Sequence, residues 1–292
     1  MTLEVFDDHP CELGEGPVWD AATGQLLWLD ILRAQVHRRA VDGSGPRITE
    51  TVDHAIGCLA LRTDGSWLVG DARGAALRVG DAPAQLIASI AHLEGGEPST
   101  PLRSNDGGVD PVGRFWFGTI AWDLSPGVAA LYRMDDPPTG PVTRVLTGVS
   151  ISNGIGWAPD GATMYYVDSP TGRIDRFRYD VATGDATDRR PLATIASAAG
   201  VPDGLAVDRD GAVWVALFGG SAVHRYLPDG RLDRIVDVPT PNVTSCAFVG
   251  DDLGRLAITT AAVELSDPGP LAGATYLLDV DVPGLPVPLV AA

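Results

Sequence analysis

GLAVDRDGAVWVAL, residues 204–217, decides the fold. A short apolar run, Leu205 to Val207, meets a turn, Asp208-Arg209-Asp210-Gly211, and a second apolar run returns from Ala212 to Leu217. Asp and Gly are the residues a tight turn asks for, so the stretch reads as a two-strand hairpin. The turn faintly resembles a calcium loop but lacks the remaining ligands of an EF-hand, and it is read as a hairpin turn. Both arms are apolar along their length, which fits strands covered on both faces. The same unit appears as GPVWDAATGQLLWLD (16–30), CLALRTDGSWLVGD (58–71), GGVDPVGRFWFGT (107–119), GIGWAPDGATMYYVDS (154–169) and CAFVGDDLGRLAIT (246–259). Its turn glycines, Gly24, Gly65, Gly113, Gly161, Gly211 and Gly254, are spaced by 41, 48, 48, 50 and 43 residues.

Six units at this period predict an all-β chain folded as a six-bladed β-propeller of four-stranded blades, one domain over residues 1–292. A β-sandwich would not explain six repeats at one period. More polar strand candidates lie between the hairpins, at Val36 to Ala40, Ala130 to Met134 and Gly172 to Tyr179, and are expected toward the outside of the blades. No segment holds a helical period over three turns. Open sheet edges invite association, so the ring needs closing. The candidate strand Leu3 to Phe6 is expected to pair with the last blade, beside Gly254 to Thr259 and Tyr276 to Val280.

The repeat also serves as a ruler. Eight residues before each turn glycine stand Gly57, Asn105, Asn153, Asp203 and Cys246; in the first unit the position is Gly16, and the longer AATG turn brings Glu15 into the equivalent place. Glu15, Asn105, Asn153 and Asp203 are thus expected at one end of the inner strands, around the axis. Asn153-Gly154 and Asp203-Gly204 can also be local turn dipeptides. Four oxygen-bearing side chains among apolar strands are costly unless something compensates them. Two carboxylates and two amides suit a hard cation. One divalent ion is therefore expected, Ca2+ first, with Zn2+, Mg2+ and Mn2+ as the alternatives.

Charge and composition narrow the partners. Lys and Arg total 21 against 38 Asp and Glu, a formal net charge of −17. Such a surface repels phosphate backbones, so nucleic acid is not an expected partner. Cys11, Cys58 and Cys246 are odd in number and far apart, without a CxxC, which argues for a reducing compartment. The first residues, MTLEVFDDHP, carry neither a basic region nor a long apolar run. No stretch reaches the ~18 apolar residues of a membrane span. A cytoplasmic location with no membrane and no obligate protein partner is the expectation. The five histidines, His9, His37, His54, His92 and His224, show no zinc-like spacing. No GxSxG elbow, GxxxxGK[ST] loop or GxGxxG is present. Cys246, without a basic neighbour, reads as a buried inert thiol, and the hairpin tryptophans read as packing. Asp106, beside Asn105, is left between a supporting role at the site and a bond to loop backbone.

GEGPVW (14–19), RSNDGGVDPVGRFWFGT (103–119), SNGIGW (152–157) and PDGLAVD (202–208) together resemble the SMP-30/gluconolactonase/regucalcin-like family, in order and spacing across nearly the whole chain. The resemblance implies a six-bladed propeller. It implies Glu15, Asn153 and Asp203 as ligands of the divalent metal, and Arg103 and Asn105 as substrate contacts. A further acidic position of the family falls on Asp123, in GTIAWD, beside Trp122, whose ring could stack on a sugar. The activity implied is opening of a sugar lactone to its aldonic acid, with a small-molecule lactone as the partner. A bound cation would polarise the carbonyl, and Asp203 is the candidate general base for water. The alternatives are a related metal-dependent esterase or phosphotriesterase, and a calcium-binding propeller scaffold without turnover.

Overall fold

The computed structural model describes residues 2–292. Its strands form six four-stranded antiparallel sheets, and the chain is a six-bladed β-propeller. The N-terminal strand β1 (Leu3–Asp7) precedes the first blade, β2 (Gly14–Asp20), β3 (Gln25–Asp30), β4 (Gln35–Ala40) and β5 (Ile48–Thr51). The second blade is β6 (Ile56–Leu61), β7 (Trp67–Asp71), β8 (Gly74–Arg78) and β9 (Gln85–Ser89), followed by a short helix, α1 (Ile90–Leu93). The third is β10 (Leu102–Val109), β11 (Phe115–Ala121), β12 (Ala129–Met134) and β13 (Val142–Val149). The fourth is β14 (Ser152–Trp157), β15 (Thr163–Asp168), β16 (Arg173–Asp180) and β17 (Asp185–Thr194). The fifth is β18 (Val201–Val207), β19 (Val213–Phe218), β20 (Ala222–Tyr226) and β21 (Leu232–Asp237). The sixth holds β22 (Asn242–Val249), β23 (Arg255–Ala261) and β24 (Thr275–Asp279), and β1 completes it by pairing Leu3 with Leu278 and Val5 with Tyr276. The ring is therefore closed by the expected N-terminal strand, which removes the edge of β24.

Burial falls from the second and third strands of each blade to the rim. β11 and β12 are buried throughout, whereas β5, β13 and β21 are mostly exposed. Apolar clusters sit at the junctions between blades. Phe115, Phe117 and Tyr132 of the third blade pack against Ala60 and Leu68 of the second. Trp116 and Leu131 face Trp157, Met164 and Tyr166 of the fourth, and Trp214 and Val223 face Phe248, Ile258 and Tyr276 across the last junction but one. Trp28, Trp116 and Trp214 are almost fully buried, so the packing reading of these tryptophans holds. Each such ring removes about 150–250 Å² from water, roughly 4–6 kcal/mol before the entropy of ordering it.

The hairpin turns are clamped by their own aspartates. Asp208 Oδ1 accepts the backbone N–H of Asp210 and of Ala212, both at 3.0 Å, and Oδ2 accepts Trp214 Nε1 at 2.9 Å and Arg225 Nε at 2.8 Å. DRDG is thus a hairpin turn, as read from its sequence. Gly24, Gly65, Gly113, Gly161 and Gly211 occupy these turns with positive φ. The sixth turn departs from the ruler. Its left-handed residues are Gly250 and Leu253, not Gly254, so counting from the hairpin places Ser245, rather than Cys246, in register with Asp203.

Among the described residues no helix is long and apolar enough to cross a membrane. The three cysteines are free and buried.

Candidate metal and active site

Each innermost strand breaks its ladder at the same height. The shifts fall between Glu15 and Val18, Ile56 and Cys58, Ser104 and Gly107, Ser152 and Ile155, Pro202 and Leu205, and Val243 and Ser245. A bulge places extra residues opposite the partner strand and re-aims their side chains. Here it frees Asn105 with Asp106, Asn153 with Gly154, and Asp203 with Gly204 from the ladder, and it follows directly on Glu15. The glycines are required by the crowding of the strands, not by a turn. A Cβ on Gly154 would lie 2.7 Å from the Asp203 carbonyl oxygen, and one on Gly204 would lie 2.6 Å from Ser245 Cβ. Asn153-Gly154 and Asp203-Gly204 are therefore strand residues where neighbouring blades touch, which removes the local-turn reading.

The predicted polar residues come together and are almost fully buried: Glu15, Arg103, Asn105, Asn153 and Asp203 are 5–8% exposed. A directional chain of hydrogen bonds links three of them, Arg103, Asn105 and Asn153. Arg103 donates from Nη1 to Asn105 Oδ1 at 2.8 Å and to the Ser104 carbonyl at 2.9 Å. Asn105 Nδ2 donates to Asn153 Oδ1 at 2.8 Å and to the Ser152 carbonyl at 2.9 Å. Asn153 Nδ2 donates to Ser169 Oγ at 2.7 Å. Both amide orientations are thereby set, and Asn153 Oδ1 keeps a second lone pair free. Glu15 Oε2 accepts the Gly16 N–H at 2.9 Å. Asp203 Oδ1 is buried with no hydrogen-bond partner.

The electrostatics are unbalanced. Burial and the Asp106 carboxylate push Glu15 up to about 8. Burial, Glu15 and Asp106 together hold Asp203 well above the usual carboxylate range. Burial raises Asp106 to about 6 and lowers Arg103 to about 10, the latter against the pull of Glu15 and Asp203. Two buried carboxylates, Glu15 and Asp203, thus share one guanidinium, and the partly buried Asp106 adds a third negative charge. An unpartnered oxygen on Asp203, a free lone pair on Asn153 and a surplus of negative charge fit a hard divalent cation.

Arg103 is a buried residue, not half of a surface ion pair; its guanidinium carbon lies 5.3 Å from the centre of the Trp122 ring. Trp122 is half exposed and covers Arg103 from the solvent side. Asp123 stands apart from the buried cluster, exposed on the loop after β11, where its Oδ1 accepts the Ser125 N–H at 3.0 Å. Asp106 adds its charge to the cluster, and its Oδ1 accepts the N–H of Gly107 at 2.6 Å, which lies in β10 and not in a loop. The sequence signal for it was its place beside Asn105 at the bulge. Ser169, which anchors Asn153, gave no such signal. Cys246 lies beneath the site, 3% exposed, with its thiol pushed up by burial, as an inert core residue should be.

Comparison with known proteins places the chain in a family. Residues 13–262 match the SMP-30/Gluconolactonase/LRE-like region. The chain belongs to this family. It is 37% identical over 298 residues to 6-deoxy-6-sulfogluconolactonase of Pseudomonas putida, covering 99% of each chain. It is 35% identical over 294 residues to a pentonolactonase of Haloferax volcanii, covering 98% of this chain and 97% of the other. Among solved structures it is similar to a calcium-binding protein, regucalcin, of Agrobacterium tumefaciens, with a TM-score of 0.90 and 33% identity over 98% of this chain and 96% of that one. The family membership covers both the blade repeat and every strand that carries a residue of the cluster.

Proposed function

We propose that this chain is a lactonase that opens a sugar lactone to its aldonic acid with the help of one divalent cation. The observation that carries the reading is the convergence of Glu15, Asn153 and Asp203 beside the Arg103–Asn105 pair, in a chain whose relatives include two named lactonases. Glu15, Asn153 and Asp203 would hold the cation, Ca2+ ahead of Zn2+, Mg2+ and Mn2+ because all three donors are oxygens. When bound, the cation supplies Lewis-acid polarisation of the lactone carbonyl.

The remaining chemistry falls to the protein's own side chains. Asp203 takes a proton from the attacking water at the carboxylate oxygen that it does not commit to the cation. The water oxygen bonds to the carbonyl carbon, the ring C–O bond breaks, and the departing ring oxygen recovers the proton as a hydroxyl. A lactone is an activated ester, so the demand on the base is modest. Arg103 commits Nη1 to Ser104 and Asn105 and leaves Nε and Nη2 to donate to sugar oxygens. Asn105 holds that guanidinium in place and links it to Asn153. Trp122 keeps Arg103 oriented and offers its exposed face to a sugar ring, with Asp123 at the rim as a further substrate contact.

The test is acidification of weakly buffered sugar lactones by the purified chain, across several divalent metals and corrected for spontaneous opening. Metal-dependent turnover on at least one sugar lactone is expected. Absence of turnover on every lactone with every metal rejects the reading in favour of a scaffold or a different esterase.

A further inference from the structure

A second cluster of metal-ligating side chains lies outside the central site, on the seam where the ring closes. The segment leaving β1 crosses from the sixth blade to the first. It is pinned on the way: the Cys11 N–H donates to the Gly273 carbonyl at 3.2 Å, and the Ala262 N–H donates to the Cys11 carbonyl at 3.2 Å. Cys11, Asp30 at the end of β3 and His37 in β4 are each fully buried, and their ligand atoms all lie within 4.8 Å of one another.

Independent observations point to this cluster as a ligand site. His37 Nε2 is buried with no hydrogen-bond partner, and so are His9 Nε2 and Trp28 Nε1. The His9 and His37 rings are 5.1 Å apart, and the Trp28 and His37 rings 5.3 Å. Buried polar atoms are rarely left unpaired, and several in one place call for a water or an ion. The His37 ring is already oriented as a ligand: Nδ1 is 2.9 Å from Thr49 Oγ1, which sends Nε2 into the cluster. Metal-bound imidazoles are held through their other nitrogen in this way. Asp30 is held just as firmly. Its Oδ2 accepts the Glu12 N–H at 2.8 Å and its Oδ1 accepts the Leu13 N–H at 3.1 Å, while Arg33 approaches from the surface at 3.1 Å. The Arg33 N–H also reaches Oδ1 at 3.4 Å, so all four acceptor positions are engaged and a bound ion would take the place of the Arg33 contacts.

We propose that Cys11, Asp30 and His37, with His9 as fourth ligand, form a structural Zn2+ site that staples the seam between the last and first blades. Thiolate and imidazole donors select a borderline metal over the hard cation of the all-oxygen central cage. Binding releases the Cys11 proton to solvent. One thiolate and one carboxylate then balance the two charges of the ion, with Arg33 on the surface side of Asp30. The site also bears on the central cage from a distance. The Asp30 carboxylate fixes Glu12 and Leu13, and Gly14 pairs with Asp30 in the ladder, so the staple sets the start of the strand that presents Glu15.

The test uses the full chain freed of metal by a chelator and titrated with Co2+ or Zn2+ alone. Wild type is expected to develop a thiolate-to-Co2+ charge-transfer band and to melt higher with Zn2+ than with Ca2+. Asp203→Ala, which disables the central cage, keeps the band, so failure of the lactonase reading leaves this one standing. Cys11→Ser loses the band, and its seam affinity for Zn2+ falls by more than the ~100-fold that loss of an outer-shell partner alone can cost. His9→Gln keeps the band with weakened affinity, and serves if the Cys11 variant does not fold. No charge-transfer band in wild type, or a band that survives in folded Cys11→Ser, overturns the proposal.

Discussion

Replacing Asp203 by Asn separates the two tasks assigned to this residue. The substitution keeps the side-chain volume and one carbonyl oxygen, so coordination survives in weakened form. It removes the proton acceptor. General-base catalysis typically contributes 10²–10⁴-fold, equivalent to about 2.7–5.4 kcal/mol on the barrier, and kcat should fall by that factor at saturating metal. The ground state should respond in the opposite direction. Asp203 is buried with one oxygen unpartnered, and both Glu15 and Asp106 push it toward protonation. A pair of like unit charges ~4–8 Å apart costs about 2–4 kcal/mol at an effective dielectric of ~20. The metal-free wild type relieves part of this by keeping a proton. The metal-free Asn variant should therefore melt above the metal-free wild type, while binding the cation less tightly than wild type and more tightly than Asp203→Ala. The assays are lactone hydrolysis corrected for spontaneous opening, calorimetric metal titration, and thermal melts with and without metal. Near-normal kcat in the Asn variant at demonstrated full occupancy would show that Asp203 is not the base. A metal-free variant that melts below wild type would refute the electrostatic account of the cluster.

The metal-free protein should lose stability as pH rises. Glu15 and Asp203 bind protons more tightly folded than unfolded, so between the ordinary carboxylate range near ~4.3 and the Glu15 value of about 8 the folded state holds the extra protons, and stability falls across that window. Saturating Ca2+ should flatten or reverse the trend, because the ligands bind it deprotonated; melts of chelated and loaded protein from pH 5 to pH 8.5 check the sign. Gly154→Ala should cost about 1–3 kcal/mol and lower kcat/KM, because its Cβ would press on the Asp203 carbonyl and on Leu205 at 2.7–2.9 Å; denaturant unfolding and steady-state kinetics read both effects. Arg103→Ala should raise KM more than it lowers kcat, and Asp123→Ala should raise KM by less, since its carboxylate is exposed and already turned to Ser125; substrate-saturation curves for the two variants test the order.

Much of this was legible because a propeller repeats its physics. A turn glycine with positive φ, an aspartate clamping the hairpin and a bulge at a constant distance recur blade after blade, so Gly113, Gly161 and Gly211 could locate Asn105, Asn153 and Asp203 by counting. Counting failed where local chemistry substituted for glycine: Leu253 takes the left-handed position of the sixth hairpin, and the register there slips by one. The glycines after Asn153 and Asp203 were visible, but their reason was not. A dipeptide that ordinarily marks a turn is here the mark of two strands in contact, a fact that belongs to the ring and not to the segment. Partners supplied by other strands were hidden for the same reason. Ser169 reaches Asn153 from the turn after β15, Trp122 lies over Arg103 from the loop after β11, and Cys11, Asp30 and His37 meet from three strands or connections with no short spacing to announce them.

The six-fold arrangement explains why the chemistry sits where it does. Neighbouring blades pack through apolar faces, and those faces tolerate no polar substitution without a partner. At the axis the inner strands instead present one short interval, set by the bulge, in which side chains from different blades meet one another. Apolar residues there would close the end of the channel. Glycine at Gly57 and in the positions after Asn153 and Asp203 lets the strands approach, and the remaining positions carry Glu15, Asn105, Asp106, Asn153 and Asp203. The cost is concentrated charge, visible as raised carboxylates and an oxygen without a partner. The blade junctions, with their buried tryptophans and clamped hairpins, carry the stability that allows such a cluster to persist. Binding of the proposed cation would convert this local cost into affinity, because a ligand that binds only the folded state adds about 2.7 kcal/mol at a hundred times its dissociation constant. Stability and activity should therefore be coupled through the three proposed ligands. Substitutions in the cage that relieve repulsion should make the metal-free fold sturdier and the enzyme slower, whereas substitutions at the blade junctions should weaken both together.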